Sequence, residues 1–296
     1  MTIHIFYHGA DLDGHASGAI ARDALCDKDV MMYPIDYGQP FPWELINPDD
    51  TVYMLDYSIP ELWKLYDLVG GKLIWIDHHV SAIQKYLVEY VERENGKSVP
   101  GKRLIGKGAC ELTWEYFYPG EEVPEVIMLL SQYDVWDKSD EGRWNDVILP
   151  FQMGFRTLDT DPVSDPEVWE FIFRDVIASG RCAEFIDNVV EDGDVIILFQ
   201  KAVNVVLMQS HGFEFLWEGL RCVAVNVPRA SSQIFDSVYD PDLHDLMVAF
   251  SYHGRDKLWT VSLYSETVDC SEIAKKYGGG GHKGAAGFPC ETLPWM

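Results

Sequence analysis

Side chains able to bind metal recur where the apolar runs of this sequence end. The run Leu73-Ile74-Trp75-Ile76 stops at Asp77-His78-His79, a carboxylate beside two imidazoles. The N-terminal run ends in His8-Gly9-Ala10-Asp11-Leu12-Asp13-Gly14-His15, and Val52 to Leu55 ends in Asp56. Farther along, Ser131 to Asp137 places Asp134 at the end of an amphipathic segment. Taken singly, each has an ordinary explanation, because Asp and Gly build turns. Taken together, so many carboxylates at one edge would repel one another without a counter-charge. Two divalent cations relieve that repulsion. Mixed His and Asp ligation suits Mn²⁺, with Co²⁺ or Mg²⁺ as substitutes, whereas Mg²⁺ alone favours an all-oxygen site. Paired cations about 3.5–4 Å apart supply a hydroxide nucleophile and stabilise phosphoryl charge, so the indicated chemistry is phosphoester hydrolysis.

A second feature lies far along the chain, at Gly278-Gly279-Gly280-Gly281-His282-Lys283-Gly284-Ala285-Ala286-Gly287-Phe288. Consecutive glycines let backbone N–H groups turn toward one anion. His282 and Lys283 add a donor and a positive charge. The return to small and apolar residues after Gly284 argues for a packed segment rather than a loose tail.

The elements that must position these groups alternate in the first half. Ile3 to His8, Val30 to Ile35, Val52 to Leu55 and Leu73 to Ile76 read as strands. Ser17 to Leu25 and Pro60 to Val69 read as helices, the second opened by a proline in its first turn and closed by Gly70-Gly71. Gly108 to Tyr118 and Pro124 to Asp134 read as two more helices. Such alternation predicts a parallel sheet with helices on both faces. Ligands then bind at the carboxyl edge of the strands, where the polar clusters fall. Pro150, Pro162 and Pro166 change the rhythm. A helical stretch follows, broken near Gly180 and resuming from about Asp194 to Ser210. In the last part Leu220 to Val227, Leu246 to His253 and Leu258 to Ser265 are strand-like. Ser271 to Tyr277 reads as a short helix with Ser271 as its N-cap. The organisation expected is a metal-binding α/β domain over 1–150, a helical linker over 151–194 and a smaller α/β domain over 195–296.

The chain has 296 residues, 47% of them hydrophobic, which is enough for a sizeable core. No apolar run reaches the roughly 18 residues of a membrane span. The N-terminus lacks a signal-peptide pattern, which leads to the expectation of a cytoplasmic protein. Cys26, Cys110, Cys182, Cys222, Cys270 and Cys290 show no metal-finger spacing and are expected as reduced thiols. The net charge of −25 argues against stable binding of duplex DNA, which needs many cationic contacts to phosphates.

On these residues the chain resembles the DHH phosphoesterase superfamily. His8, Asp11 and Asp13 are similar to its first motif, and Asp56 to its second. Asp77-His78-His79 is similar to the motif that names it, and Asp134 to its fourth. Gly278 to Phe288 resembles the GGGH-type motif of the DHH-associated C-terminal domain. The five motifs stand in the family's order and span nearly the whole chain. The resemblance implies an α/β protein of two lobes with the active-site cleft between them, in which His8, Asp11 and Asp56 hold one Mn²⁺. It implies that Asp13, Asp56, His78 and Asp134 hold a second, with Asp56 bridging. His79 would face the scissile phosphate, and Asp77 would orient a neighbouring imidazole. Gly279, Gly280, Gly281, His282 and Lys283 would grip the far end of the substrate. One departure is Tyr264 in Ser262-Leu263-Tyr264-Ser265, where several relatives carry an Arg. Tyrosine cannot make the bidentate phosphate contact of an arginine, but it can stack on a base. His15 also departs from the family pattern, and Asp137 lies close enough to Asp134 to compete with it for the fourth motif.

The C-terminal type is similar to that of RecJ exonucleases, nanoRNase-type oligoribonucleases and cyclic-dinucleotide phosphodiesterases. The expected function is therefore Mn²⁺-dependent exonucleolytic hydrolysis of short single-stranded oligonucleotides to mononucleotides by a cytoplasmic enzyme, which could also form a homodimer. A processive single-strand exonuclease, or hydrolysis of cyclic dinucleotides, 3′-phosphoadenosine-5′-phosphate or polyphosphate, uses the same chemistry. A nucleotide sensor that retains the fold is the non-enzymatic alternative.

Overall fold

The computed structural model describes residues 2–93 and 97–296. The chain forms two compact units, Met1–Ile196 and Ile197–Met296.

The first unit is built on four parallel strands, β1 (Ile3–His8), β2 (Val30–Ile35), β3 (Thr51–Leu55) and β4 (Leu73–Ile76), in the order β2-β1-β3-β4. The register pairs Tyr7 with Leu55 and Leu55 with Ile76. The next residue of each strand therefore leaves the same carboxyl edge, and those residues are His8, Asp56 and Asp77. Five helices follow in sequence: α1 (Leu12–Ala24), α2 (Leu62–Val69), α3 (Val80–Glu92), α4 (Ala109–Phe117) and α5 (Glu125–Asp134). Strand alternation sends Phe6, Met54, Leu73 and Trp75 to one face, where they pack with Leu62 and Leu65 of α2 and Tyr86 of α3. Ile5, Tyr7, Ile74 and Ile76 pack on the other face with Ala21 of α1 and Leu112 of α4. Both faces are covered, which explains why these strands are nearly uninterrupted apolar runs.

A further helical layer packs on the outside of α1. It contains α6 (Glu141–Arg143), a π-helical turn over Trp144–Ile148, α7 (Leu149–Phe155), α8 (Pro166–Phe171) and the start of α9 (Cys182–His211). Gly193 of α9 lies so close to α7 that a Cβ there would stand 1.8 Å from the Pro150 carbonyl oxygen. Gly154 meets Val189 in the same way, at 2.0 Å.

The second unit has a six-stranded mixed sheet. Its strands are β5 (Phe213–Trp217), β6 (Leu220–Asn226), β7 (Leu246–His253), β8 (Leu258–Tyr264), β9 (Gly280–Gly281) and β10 (Ala285–Cys290), in the order β5-β6-β7-β8-β10-β9. Only β6 and β7 pair in parallel. Helix α10 (Cys270–Lys276) covers one face through Cys270, Ile273 and Ala274. Met208, Ile234 and Phe235 cover the other.

Several boundaries differ from the sequence reading. Helix α1 starts at Leu12 rather than Ser17, because the Asp11 carboxylate caps it by accepting from Gly14 N at 2.9 Å. The cap of α10 is Asp269, which accepts from the Ser271 and Glu272 amides, and not Ser271. The chain turns at Gly180 (φ +70°), but α9 resumes at Cys182 and runs unbroken through Asp194. Strand β5 and helix α3 come from segments the sequence reading leaves unassigned. All six cysteines are free thiols.

Candidate metal centre

The loop from β1 to α1 carries the first three site residues. Asp11 divides its oxygens: Oδ1 caps α1, and Oδ2 stands 2.7 Å from His8 Nδ1. Asp13 sits in the first turn of α1 and accepts from two amides at the start of α4, Ala109 N and Cys110 N, each at 2.7 Å. A helix N-terminus is a ready site for a carboxylate. Gly108 makes the approach feasible, since a Cβ there would meet Ser131 Cα at 2.8 Å and Asp13 Oδ1 at 3.0 Å.

Asp56 lies between the two halves of the cluster. Its Oδ2 is 3.5 Å from His8 Nδ1, and its Oδ1 is 3.3 Å from His78 Nε2. His78 Nε2 also stands 3.1 Å from Asp134 Oδ2 and 3.6 Å from Asp13 Oδ2. The donor atoms of His8, Asp11 and Asp56 lie within 4.8 Å of one another, as do those of Asp13, His78 and Asp134. A third set of the same tightness joins Asp56, His78 and His79. Asp137 is turned away into a local turn, accepting from Ser139 N and Oγ. His15 is held between Thr160 Oγ1 at 2.9 Å and the Gly9 carbonyl at 3.2 Å.

Asp77 is fully buried beneath the cluster. It accepts from Trp75 Nε1 at 3.0 Å and from His79 N at 2.9 Å, and its Oδ1 lies 2.8 Å from His79 Nδ1. These contacts fix the His79 ring and place its other nitrogen away from Asp77, the arrangement a supporting carboxylate gives an imidazole.

The electrostatics follow from crowding and burial. Burial raises the pKa of Asp13 well above the ordinary value, and the charges of Asp56 and Asp134 add to it. Burial likewise raises Asp56. At His8, burial favours the neutral ring, but the carboxylates of Asp11 and Asp56 outweigh it and raise the pKa to about 11. At His78 the same opposition, won by Asp134 and Asp56, also gives about 11. The protein alone thus balances the site with protons on its imidazoles. The buried His8 Nδ1 and Asp56 Oδ1 stand at ion-pair distance from their neighbours yet make no directional hydrogen bond. Buried atoms without a hydrogen bond, in mixed imidazole and carboxylate sets whose ligand atoms lie within 4.8 Å of one another, fit divalent cations.

One contact was not anticipated. Asp36 Oδ1 stands 3.3 Å from His8 Nε2. It follows β2 directly, so the strand-end rule that singles out Asp56 and Asp77 applies to it equally.

The other candidate residues belong to the second unit. Gly280 and Gly281 pair with Gly287 and Ala286, and His282 and Ala285 close the hairpin through His282 N to Ala285 O at 2.7 Å. Gly279 N donates to the Ala274 carbonyl, so the Gly279 and His282 amides are engaged within the chain. The His282 and Lys283 side chains are exposed. Tyr264 Oη donates to the Ala230 carbonyl at 2.6 Å and lines a cavity of about 380 Å³ with Asp236 and Glu266. No helix of the described residues is long and apolar enough to cross a membrane.

No family model matches the chain. Uncharacterized protein R106 of Acanthamoeba polyphaga mimivirus is 24% identical over 296 residues, covering 95% of this chain; the match spans 57% of that protein's length. Among solved structures, an exopolyphosphatase-related protein from Bacteroides fragilis is similar over 99% of this chain and 87% of its own, at 12% identity and a TM-score of 0.49. RecJ exonuclease bound to manganese is similar over 98% and 86%, at 15% identity and 0.46. The pGpG-specific phosphodiesterase PggH from Vibrio cholerae is similar over 98% and 92%, at 12% identity and 0.42. In the residues of its five motifs and in their order, this chain resembles the DHH phosphoesterase superfamily.

Proposed function

We propose that the protein is a Mn²⁺-dependent phosphodiesterase that removes mononucleotides from short single-stranded oligonucleotides. The observation carrying this reading is the position of Asp56, whose two oxygens face the His8–Asp11 pair and the His78–Asp13–Asp134 group. His8, Asp11 and Asp56 would hold one cation, and Asp13, Asp56, His78 and Asp134 the other. Bound there, the cations would supply a hydroxide nucleophile near neutral pH and neutralise charge on the phosphoryl oxygens. His79, with its ring fixed by Asp77, presents a proton donor to a phosphate oxygen. The Asp13 contact to the α4 amides holds that ligand rigidly, which favours a fixed spacing of the two sets.

In the second unit, exposed His282 and Lys283 are the groups suited to contact substrate. Its cavity at Tyr264 carries Asp236 and Glu266, so a base suits it better than a second phosphate.

The test is a Mn²⁺ activity panel on labelled two- to five-residue RNA and DNA, cyclic dinucleotides, 3′-phosphoadenosine-5′-phosphate and polyphosphate. The expected result is fastest turnover on the short linear oligonucleotides, with loss of at least about a thousandfold in Asp56→Ala, about 4 kcal/mol of barrier. Turnover no higher than that of Asp56→Ala would sink the reading. Faster cleavage as chain length grows would favour a processive exonuclease instead.

A further inference from the structure

A cavity of about 470 Å³ opens beside His79, formed entirely by residues of the first unit. Its volume lies within the roughly 300–1,000 Å³ of small-molecule sites. His79 lines it and also belongs to the Asp56–His78–His79 set, so the cavity and the candidate centre share this residue. We propose that this cavity receives the nucleobase next to the scissile phosphate, making the enzyme selective for nucleotide over inorganic phosphoester substrates. The inference rests on the phosphodiesterase reading above.

The lining argues for a flat, organic, largely uncharged occupant. Pro60 and Ala82 supply apolar wall, and the lining also includes the almost fully buried Ile59, Trp75 and Tyr86. Tyr37 forms the lip: its ring is half exposed and stands edge-on to His79, with centroids 6.0 Å apart. Its position against the Tyr57 ring, 5.0 Å away, leaves it set as a stacking surface.

The charges in the lining argue against a chain of phosphates. Lys85 is the only lysine or arginine among the lining residues. Its Nζ donates to the Pro60 carbonyl at 2.8 Å and stands 3.8 Å from Glu89 Oε1. Glu89 itself lines the cavity and would repel a second anion. A polyphosphate lying here would meet, beyond His79, one engaged ammonium and one carboxylate, whereas a base would meet the Tyr37 ring, apolar wall and a few polar groups.

The test compares kcat/KM for a dinucleotide and for the same phosphodiester with the base beside the scissile bond removed. Two cavity-filling variants on α3, Ser81→Trp and Glu89→Trp, are measured in parallel. They lie about two turns apart, and circular dichroism and Mn²⁺ uptake verify each fold. The wild type should prefer the dinucleotide by at least about tenfold, from loss of one stacked base. Both variants should bring that ratio close to one. Direct titration with adenosine 5′-monophosphate should show binding to the wild type that weakens at least about tenfold in the variants. A wild-type ratio near one, or a ratio unchanged in two folded variants, overturns the proposal while leaving phosphodiester cleavage in place. Tripolyphosphate hydrolysis faster than dinucleotide hydrolysis also overturns it. Failure of the wild type to cleave either dinucleotide or its abasic form removes the phosphodiesterase reading itself, and this proposal with it.

Discussion

Asp56 has a backbone conformation that non-glycine residues rarely adopt, with φ at +53°. A non-glycine residue held there costs on the order of 1–3 kcal/mol and persists only where its surroundings fix it. Its carboxyl is also buried, which raises its pKa. Cations that bind the folded site and not the unfolded chain would offset both costs. At a hundredfold excess over its dissociation constant, Mn²⁺ should stabilise by about 2.7 kcal/mol. For a unit of this size that corresponds to a rise in Tm of roughly 5–10 °C. Asn tolerates the left-handed conformation, so Asp56→Asn should fold yet show almost no rise with Mn²⁺. Thermal melts with and without the ion check this. Away from the centre, Asp50 is almost fully buried and accepts from Thr2 N at 2.7 Å and Asn47 N at 2.9 Å. The Thr2 and Asn47 amides hold its pKa below the usual carboxylate range. A folded pKa below the unfolded one means that the contribution is fully present above about pH 4 and is lost as the pH falls through the folded value. Asp50→Ala should therefore lose about 2 kcal/mol near neutral pH by removing its charge-assisted hydrogen bonds to the two amides. Urea unfolding of variant and wild type should converge as the solution is acidified.

Helix α9 is where local signals and tertiary packing disagree. A glycine inside a helical pattern reads as a weak point, and Gly193 beside Asp192 and Asp194 invites a break there. In the fold the missing side chain lets α9 touch the backbone of α7 at Pro150. Gly193→Ala gains about 1 kcal/mol of helix propensity, but its methyl would fall against a carbonyl that cannot rotate away. The net effect should be a loss of about 1–3 kcal/mol, the range for overpacking a dense contact. Denaturant unfolding followed by circular dichroism measures it. The parallel strands, by contrast, were legible because both faces are buried, so each is an apolar run with polar residues just beyond it. The strand-end rule located His8, Asp56 and Asp77, and it would have located Asp36 had it been applied to β2. The cap of α10 shows a smaller limit. Asp269 and Ser271 are both good caps, and only the observed helix start decides for Asp269. The hairpin at Gly280–Gly281 was the least legible element. A glycine run supplies no side chains from which to read its pairing, and its partner strand is defined only by β8 on the far side.

At the scale of the whole chain, the charge of −25 would set how the proposed anionic substrate reaches the site. Each added nucleotide brings another negative charge into a field of the same sign, so the encounter of long strands is opposed before any contact forms. Salt should therefore act in the direction opposite to that for basic nucleases. Raising ionic strength from about 0.01 M to about 0.15 M shortens the screening length from roughly 30 Å to roughly 8 Å. Over that range kcat/KM should rise for a five-residue oligonucleotide and change less for a dinucleotide, provided Mn²⁺ is kept saturating. Initial rates at fixed free Mn²⁺ across a salt series provide the measurement. A fall with salt for both lengths would place a cationic track along the substrate path and argue against the short-strand preference. The expected rise would tie that preference to the field of the entire protein, with the cavity beside His79 selecting the base and the acidic surface limiting strand length.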